Sequence, residues 1–111
     1  MTQFEDRKNR FEKEYAHNAE MMFKAEARAC KLFGMWLSSE IGLAEAESKA
    51  YAADIVAANM EEPGFNDVVR FVMPAVEDKS LGYSESDLLA KLEAFFDEAK
   101  VQLMSEGDGD A

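Results

Sequence analysis

The feature that most constrains this 111-residue chain is a change of helix pattern near Ala19. Between Met21 and Leu43, the residues Met21, Met22, Phe23, Ala25, Ala27, Ala29, Cys30, Leu32, Phe33, Met35, Trp36, Leu37 and Ile41 cover most of a helix's circumference. A helix that is apolar nearly all round has to be surrounded, so this stretch is expected to wall a core. Upstream, from Met1 to Ala19, the apolar residues thin to Phe4, Phe11 and Tyr15, set among Arg7, Lys8, Arg10, Lys13 and several carboxylates. A stripe that narrow cannot hold a core position by itself.

Beyond this run the pattern is helical throughout. Gly42 followed by Leu43 marks a C-terminal stop of the Schellman type, so the first helix is expected to end at Ile41. A second helix is expected over residues 44–59, opening on Glu45 and Glu47, with Ala46, Ala50, Ala53 and Ala57 small enough to let a neighbour approach. Pro63 and Gly64 then break the chain. A third helix is expected over residues 67–78, capped by Asn66 and kinked or shortened by Pro74. Gly82 pivots a loop. Ser84 and Asp87 have capping-box spacing ahead of Leu89, Leu92, Phe96, Ala99 and Leu103, which repeat at three and four. This fourth helix should end near Met104, leaving residues 105–111 as a polar, glycine-rich, disordered tail. The expected fold class is all-α, a four-helix bundle over residues 19–104 with Trp36 and Phe33 at its centre. One straight helix over residues 4–41 would be about 57 Å long, against about 30 Å for a 20-residue partner. Residues 1–18 are therefore left with no bundle to lie against. They would either fold back as a cap or act as an arm for another molecule, and pattern alone leaves both open.

Charge narrows the partners. The net charge is −11, yet residues 1–43 hold seven acids and seven bases, so all the excess lies downstream of Leu43. Most of the surface would repel nucleic acid. No run approaches the roughly 18 apolar residues of a membrane span, and the first residues are charged where a signal peptide is apolar, so direct membrane insertion is not expected. With one cysteine, Cys30, no internal disulfide is available, which fits a reducing cytoplasm.

Catalytic chemistry is thinly represented. Cys30 lies inside the apolar arc, more than three turns from His17, the only histidine, so a cysteine–histidine nucleophile pair is not expected. One His and one Cys do not make a zinc set, and no glycine-rich phosphate cradle is present, so no metal or cofactor is expected. The enzyme alternative is a small helical site for an anionic substrate, built from Arg7, Arg10, Lys24, Arg28, Lys31 and Arg70. Within it Lys24, Arg28 and Lys31 share a helix face that would also suit weak nucleotide binding. A third alternative is an adaptor that docks through acidic helices at Glu45, Glu47, Asp97 and Glu98.

A resemblance bears on these alternatives. Phe4, Asp6, Arg7, Phe11, Glu12, Tyr15, Ala16 and His17, followed by Glu20, the run from Phe23 to Arg28 (FKAEAR), Lys31, Leu32, Gly34 and Trp36, resemble the zeta subunit family, the inhibitor of the F-type ATP synthase in alpha-proteobacteria. The likeness continues through Tyr51, Ala52, the turn at residues 61–64, Asp67 and Val68 and on to the helix ending near Met104. It implies an enzyme regulator, not an enzyme. It further implies a four-helix bundle whose mobile N-terminal segment enters a catalytic interface of the F1 sector, among its alpha, beta and gamma subunits, and blocks hydrolysis by stopping rotation. The implied site is cytoplasmic, on the cytoplasmic face of the inner membrane. Carried over by position, the inhibitory segment is residues 1–18, with Phe4, Arg7, Phe11, Glu12, Tyr15 and His17 on matching positions. Arg10, with Arg7 and Lys13, adds charged contacts to the same face. Tyr15 stands where Phe is more usual, and Asn18 where Asp is.

Overall fold

The computed structural model describes residues 3–61 and 64–109, and among these the chain is all-helical, with five α-helices and no strand. They are α1 (Gln3–Tyr15), α2 (Ala19–Ile41), α3 (Glu45–Asn59), α4 (Asn66–Asp78) and α5 (Glu85–Gly109). The long first helix expected over residues 4–41 is thus two helices. Asn18 makes the break: its backbone is extended, its N–H donates to the Tyr15 carbonyl at 2.9 Å, and its side-chain Oδ1 accepts from Met21 N–H at 3.0 Å. Asparagine is among the best N-caps because it satisfies one of the free donors of a helix's first turn. With Ala16 and His17 forming the turn, α1 reverses onto α5 instead of extending α2.

The other helix ends follow the sequence more closely. Gly42 takes the left-handed conformation at φ 87°, and both Gly42 and Leu43 N–H groups donate to the Ser38 carbonyl, which closes α2. Ala44 has no side chain to cap α3, so Glu47 does half of that work, accepting from Ala44 N–H at 3.3 Å. Of the expected break between α3 and α4, Gly64 takes a positive φ of 90°, while Glu62 and Pro63 lie outside the described residues. Asn66 is the first residue of α4 and not its cap, a position held by Phe65 without a side-chain bond. Pro74 does not end α4, which continues to Asp78. Pro74 and Arg70 both face solvent, where water can serve the carbonyl that the proline cannot. At α5, Ser84 and Asp87 form the reciprocal box, at 3.1 and 2.9 Å. The helix runs on past Met104 to Gly109, where the polar composition pointed to a tail. Across the helix pair the Arg28 guanidinium binds both carboxylate oxygens of Glu106, tying this last stretch to α2.

Two hydrophobic clusters result. Four helices, α2 to α5, share the larger one, built on Phe33, Leu37, Ile55, Val68, Val72, Leu88 and Leu92. Trp36 sits at its margin, not its centre: its ring lies 5.7 Å from Phe33 and 5.4 Å from Tyr83, with Lys91 Nζ over its face at 4.9 Å. The smaller cluster joins Phe11 of α1 to Ala25 of α2 and Met104 of α5, flanked by Tyr15, Met21, Met22, Phe96 and Leu103.

Gly34 sets the distance between α2 and α3. A Cβ there would stand 2.7 Å from the Ala52 Cα and 2.9 Å from its Cβ, so the two backbones pack closer than any side chain at 34 allows. Gly34→Ala gains about 1 kcal/mol of helix propensity but forces the helices apart. We expect a net loss of about 1–3 kcal/mol, the usual cost of overpacking, read as a lower urea midpoint at unchanged m-value.

Candidate functional site

Of the residues singled out on the N-terminal segment, those at helical spacing on one side of α1 face inward. Phe11 is fully buried, and Tyr15 meets it edge to face with ring centroids 5.1 Å apart. Glu12 reaches α5, where its Oε1 accepts from Lys100 Nζ at 3.1 Å. Lys8 makes a second tie, to Asp97 at 3.2 Å, and Lys100 also faces Asp97 at 3.7 Å. The polar contacts thus form a chain, Lys8 to Asp97 to Lys100 to Glu12, laid beside the apolar contact of Phe11.

Lys100 is the pivot of this seat. Only 7% exposed, it places its Nζ 4.1 Å above the Phe96 ring while holding the carboxylates of Glu12 and Asp97. Burying an ammonium is tolerable only with such partners. The signal was present in the sequence: Lys100 lies four residues after Phe96 and three or four before Leu103 and Met104, a cation on an apolar helix face.

The remaining candidates face outward. Phe4 is 42% exposed, His17 is exposed, and Arg10 pairs with Glu14 one turn away at 3.5 Å. Arg7 and Arg10 line an open cleft of about 220 Å³ together with Gln3 and Asp6. The segment therefore divides its residues between two faces. Phe11, Glu12 and Tyr15 are spent on the chain's own α2 and α5, while Phe4, Arg10 and His17 are exposed and Arg7 is half-buried.

The basic residues of a possible anionic-substrate site are scattered. Lys24, Arg28 and Lys31 share one open cleft, Arg7 and Arg10 line another, and Arg70 lines a third beside Asn66 and Glu85. Lys24 is paired with Glu20 and Arg28 with Glu106; Arg70 binds Asp67. Cys30 is buried, and burial, reinforced by Glu26, pushes its thiol up to about 12, far from a thiolate at neutral pH. Among the described residues no group of three or more His, Cys, Asp and Glu side chains could hold a metal ion. No helix is long and apolar enough to cross a membrane. The four carboxylates proposed as an acidic docking surface all have work within the chain: Glu45 pairs with Lys49, Glu47 caps α3, Asp97 holds Lys8 and Lys100, and Glu98 accepts from Gln102.

The sequence matches the family described as ATPase inhibitor subunit zeta over residues 1–102, and the chain belongs to that family. No curated protein matches it.

The Arg28–Glu106 pair gives a pH test. Hydrogen bonds from the Arg28 guanidinium, aided by its charge, hold the Glu106 carboxyl below the usual carboxylate range. A carboxyl whose pKa falls on folding stabilises the fold above its unfolded value, about 4.3, and loses that contribution as pH drops through the folded value. Wild-type protein should therefore melt above Glu106→Gln at pH 7, with the gap closing in acid below about pH 4. Thermal melts followed by circular dichroism at both pH values read it out.

Proposed function

We propose that this chain inhibits ATP hydrolysis by the F1 sector of an F-type ATP synthase. Residues 1–18 insert as a helix at a catalytic interface of the alpha and beta subunits, reach gamma, and block rotation at the cytoplasmic face of the inner membrane. Membership of the zeta inhibitor family carries this reading. The form of α1 supports it: a 13-residue amphipathic helix, joined in sequence to α2 by the capped turn at Asn18 and seated by one buried aromatic residue and two ion pairs, Lys8–Asp97 and Glu12–Lys100.

The seat modifies the energetics. A disordered arm would have to order about 18 residues at about 1 kcal/mol or more each. Here α1 is already helical, and the cost of engaging a partner through Phe11, Glu12 and Tyr15 is instead that of leaving α5. Burial of Phe11 is worth about 1.5–3 kcal/mol, and a pair as exposed as Lys8–Asp97 at most about 1 kcal/mol. The seated state thus outweighs the released one by an amount a large interface can supply. Apparent affinity falls in proportion to the fraction released.

Deleting residues 1–18 is expected to abolish inhibition of hydrolysis by the cognate F1 while leaving cooperative helical melting of α2 to α5; inhibition that survived the deletion would sink the proposal. Asp97→Asn leaves α1 untouched but removes the anchor of Lys8 and one of the two carboxylates facing Lys100. It should lower the half-inhibitory concentration by about fivefold or more, since the Lys8 pair alone is worth up to about 1 kcal/mol. An adaptor that docks through its acidic helices would instead lose affinity with this substitution.

A further inference from the structure

Three of the five large hydrophobic residues that the described structure leaves exposed lie along one seam, between α2 and α3: Phe23 at 47%, Met35 at 38% and Met60 at 62%. The seam is a groove. On one wall Phe23, Ala27, Lys31 and Met35 follow each other at one-turn intervals on α2; on the other stand Lys49, Ala53 and Val56 of α3 and Met60 just past its end. Three adjoining clefts of about 470, 420 and 380 Å³ run along it, sharing Lys31, Val56 and Phe23 where they meet. The close approach at Gly34 keeps the floor shallow and made of small residues, Ala52 and Ala53. From Phe23 to Met35 it is about 18 Å long, the length of a helix of about twelve residues.

The polar groups of the groove are distributed unevenly. Lys31 and Lys49 rim one end, with Lys24 and Arg28 on the adjoining stretch, so four of the chain's twelve basic residues gather here on a molecule of net charge −11. Lys31 makes no ion pair among the described residues, whereas Lys24, Arg28 and Lys49 pair with Glu20, Glu106 and Glu45; the Lys24 and Lys49 pairs are exposed and weak. At the other end Glu26 and Glu61 flank Asn59, which is 5% exposed and whose Oδ1 accepts no hydrogen bond among the described residues.

We infer that the α2–α3 groove is a second docking surface, which takes an amphipathic helix of the inhibited ATPase. That helix lays its apolar face on Phe23, Val56, Met35 and Met60 and sets carboxylates against Lys31 and Lys49. This rests on the inhibitor function proposed above. The groove includes neither Phe11 nor the Lys100 seat and meets the α1 cluster only at Met22 and Leu103, so the bundle holds the enzyme while the N-terminal helix acts on it. Apolar anchors at helical spacing over small residues are how grooves receive helices, and the charges fix the direction in which the visitor lies.

The test uses the full-length chain and the cognate F1. Lys31→Glu combined with Lys49→Glu changes only exposed residues, and its melting curve reports that folding is intact. Binding to F1 should weaken at least tenfold, while inhibition at saturation stays complete because α1 is unaltered. On the wild-type complex, oxidation of Met35 and Met60 by dilute peroxide should slow severalfold relative to the free chain. If wild type inhibits but the double variant binds as tightly, or Met35 and Met60 oxidise at the free rate in the complex, the groove assignment is overturned and the inhibitor reading stands. If wild type neither binds nor inhibits F1, the inhibitor reading itself fails. If the wild-type chain is a dimer that the double variant dissolves, the occupant is a second copy and the assignment is overturned.

Discussion

Unequal helix lengths govern this fold. α2 has 23 residues and α5 has 25, whereas α3 and α4 have 15 and 13. At 1.5 Å per residue that is about 35 and 38 Å against about 23 and 20 Å. The two long helices run antiparallel, as the Arg28–Glu106 pair near one end and the Tyr83–Glu40 hydrogen bond near the other require. Their far ends therefore project beyond α4, with Ala25, Met21, Met22, Phe96, Leu103 and Met104 on the projecting surface. Leaving that surface in water is unfavourable. α1 covers it, and Phe11 is the residue that fits.

This dependence explains which parts of the fold were legible in the sequence. The Schellman stop at Gly42 and the box of Ser84 and Asp87 are local, each closing within a few residues, and both form as their residue types dictate. The turn at Asn18 is equally local but was hidden, because Ala16 and His17 are compatible with an uninterrupted helix and the apolar stripe continues across them. What decides there is tertiary: a covering helix is wanted on α5, and a good N-cap at residue 18 permits the reversal. The extent of α5 was obscured for the same reason. Its last turns have tail-like composition, and they are held by Arg28, 78 residues away in sequence.

The candidate site was legible in its residues and not in its faces. Phe4, Arg7, Phe11, Glu12 and Tyr15 were identified by spacing and resemblance, but spacing on an isolated amphipathic helix cannot say whose surface the stripe meets. Lys100 supplies the answer through chemistry that only the fold assembles, one ammonium shared between Glu12, Asp97 and the Phe96 ring. Such a seat orders the helix and shields Phe11, a residue that would otherwise be an exposed aromatic inviting non-specific association.

A helix that has a seat on its own chain serves a partner more readily when something else keeps the two molecules together while it changes places. Under the proposed function the conversion would be intramolecular once the body is docked, and the rate at which α1 finds the enzyme would be set by an effective concentration and no longer by the bulk one. The turn at Asn18 is short, and its connection to α2 fixes where the released helix can reach. A body held at the α2–α3 groove would present that reach in a constant direction. In such an arrangement the strength of the α5 seat and the strength of the groove contact have opposite effects on the inhibitor. The first withholds the helix from every surface, and the second restores its availability at one surface only, which is how a chain with a modest apolar stripe gains specificity without a stronger stripe.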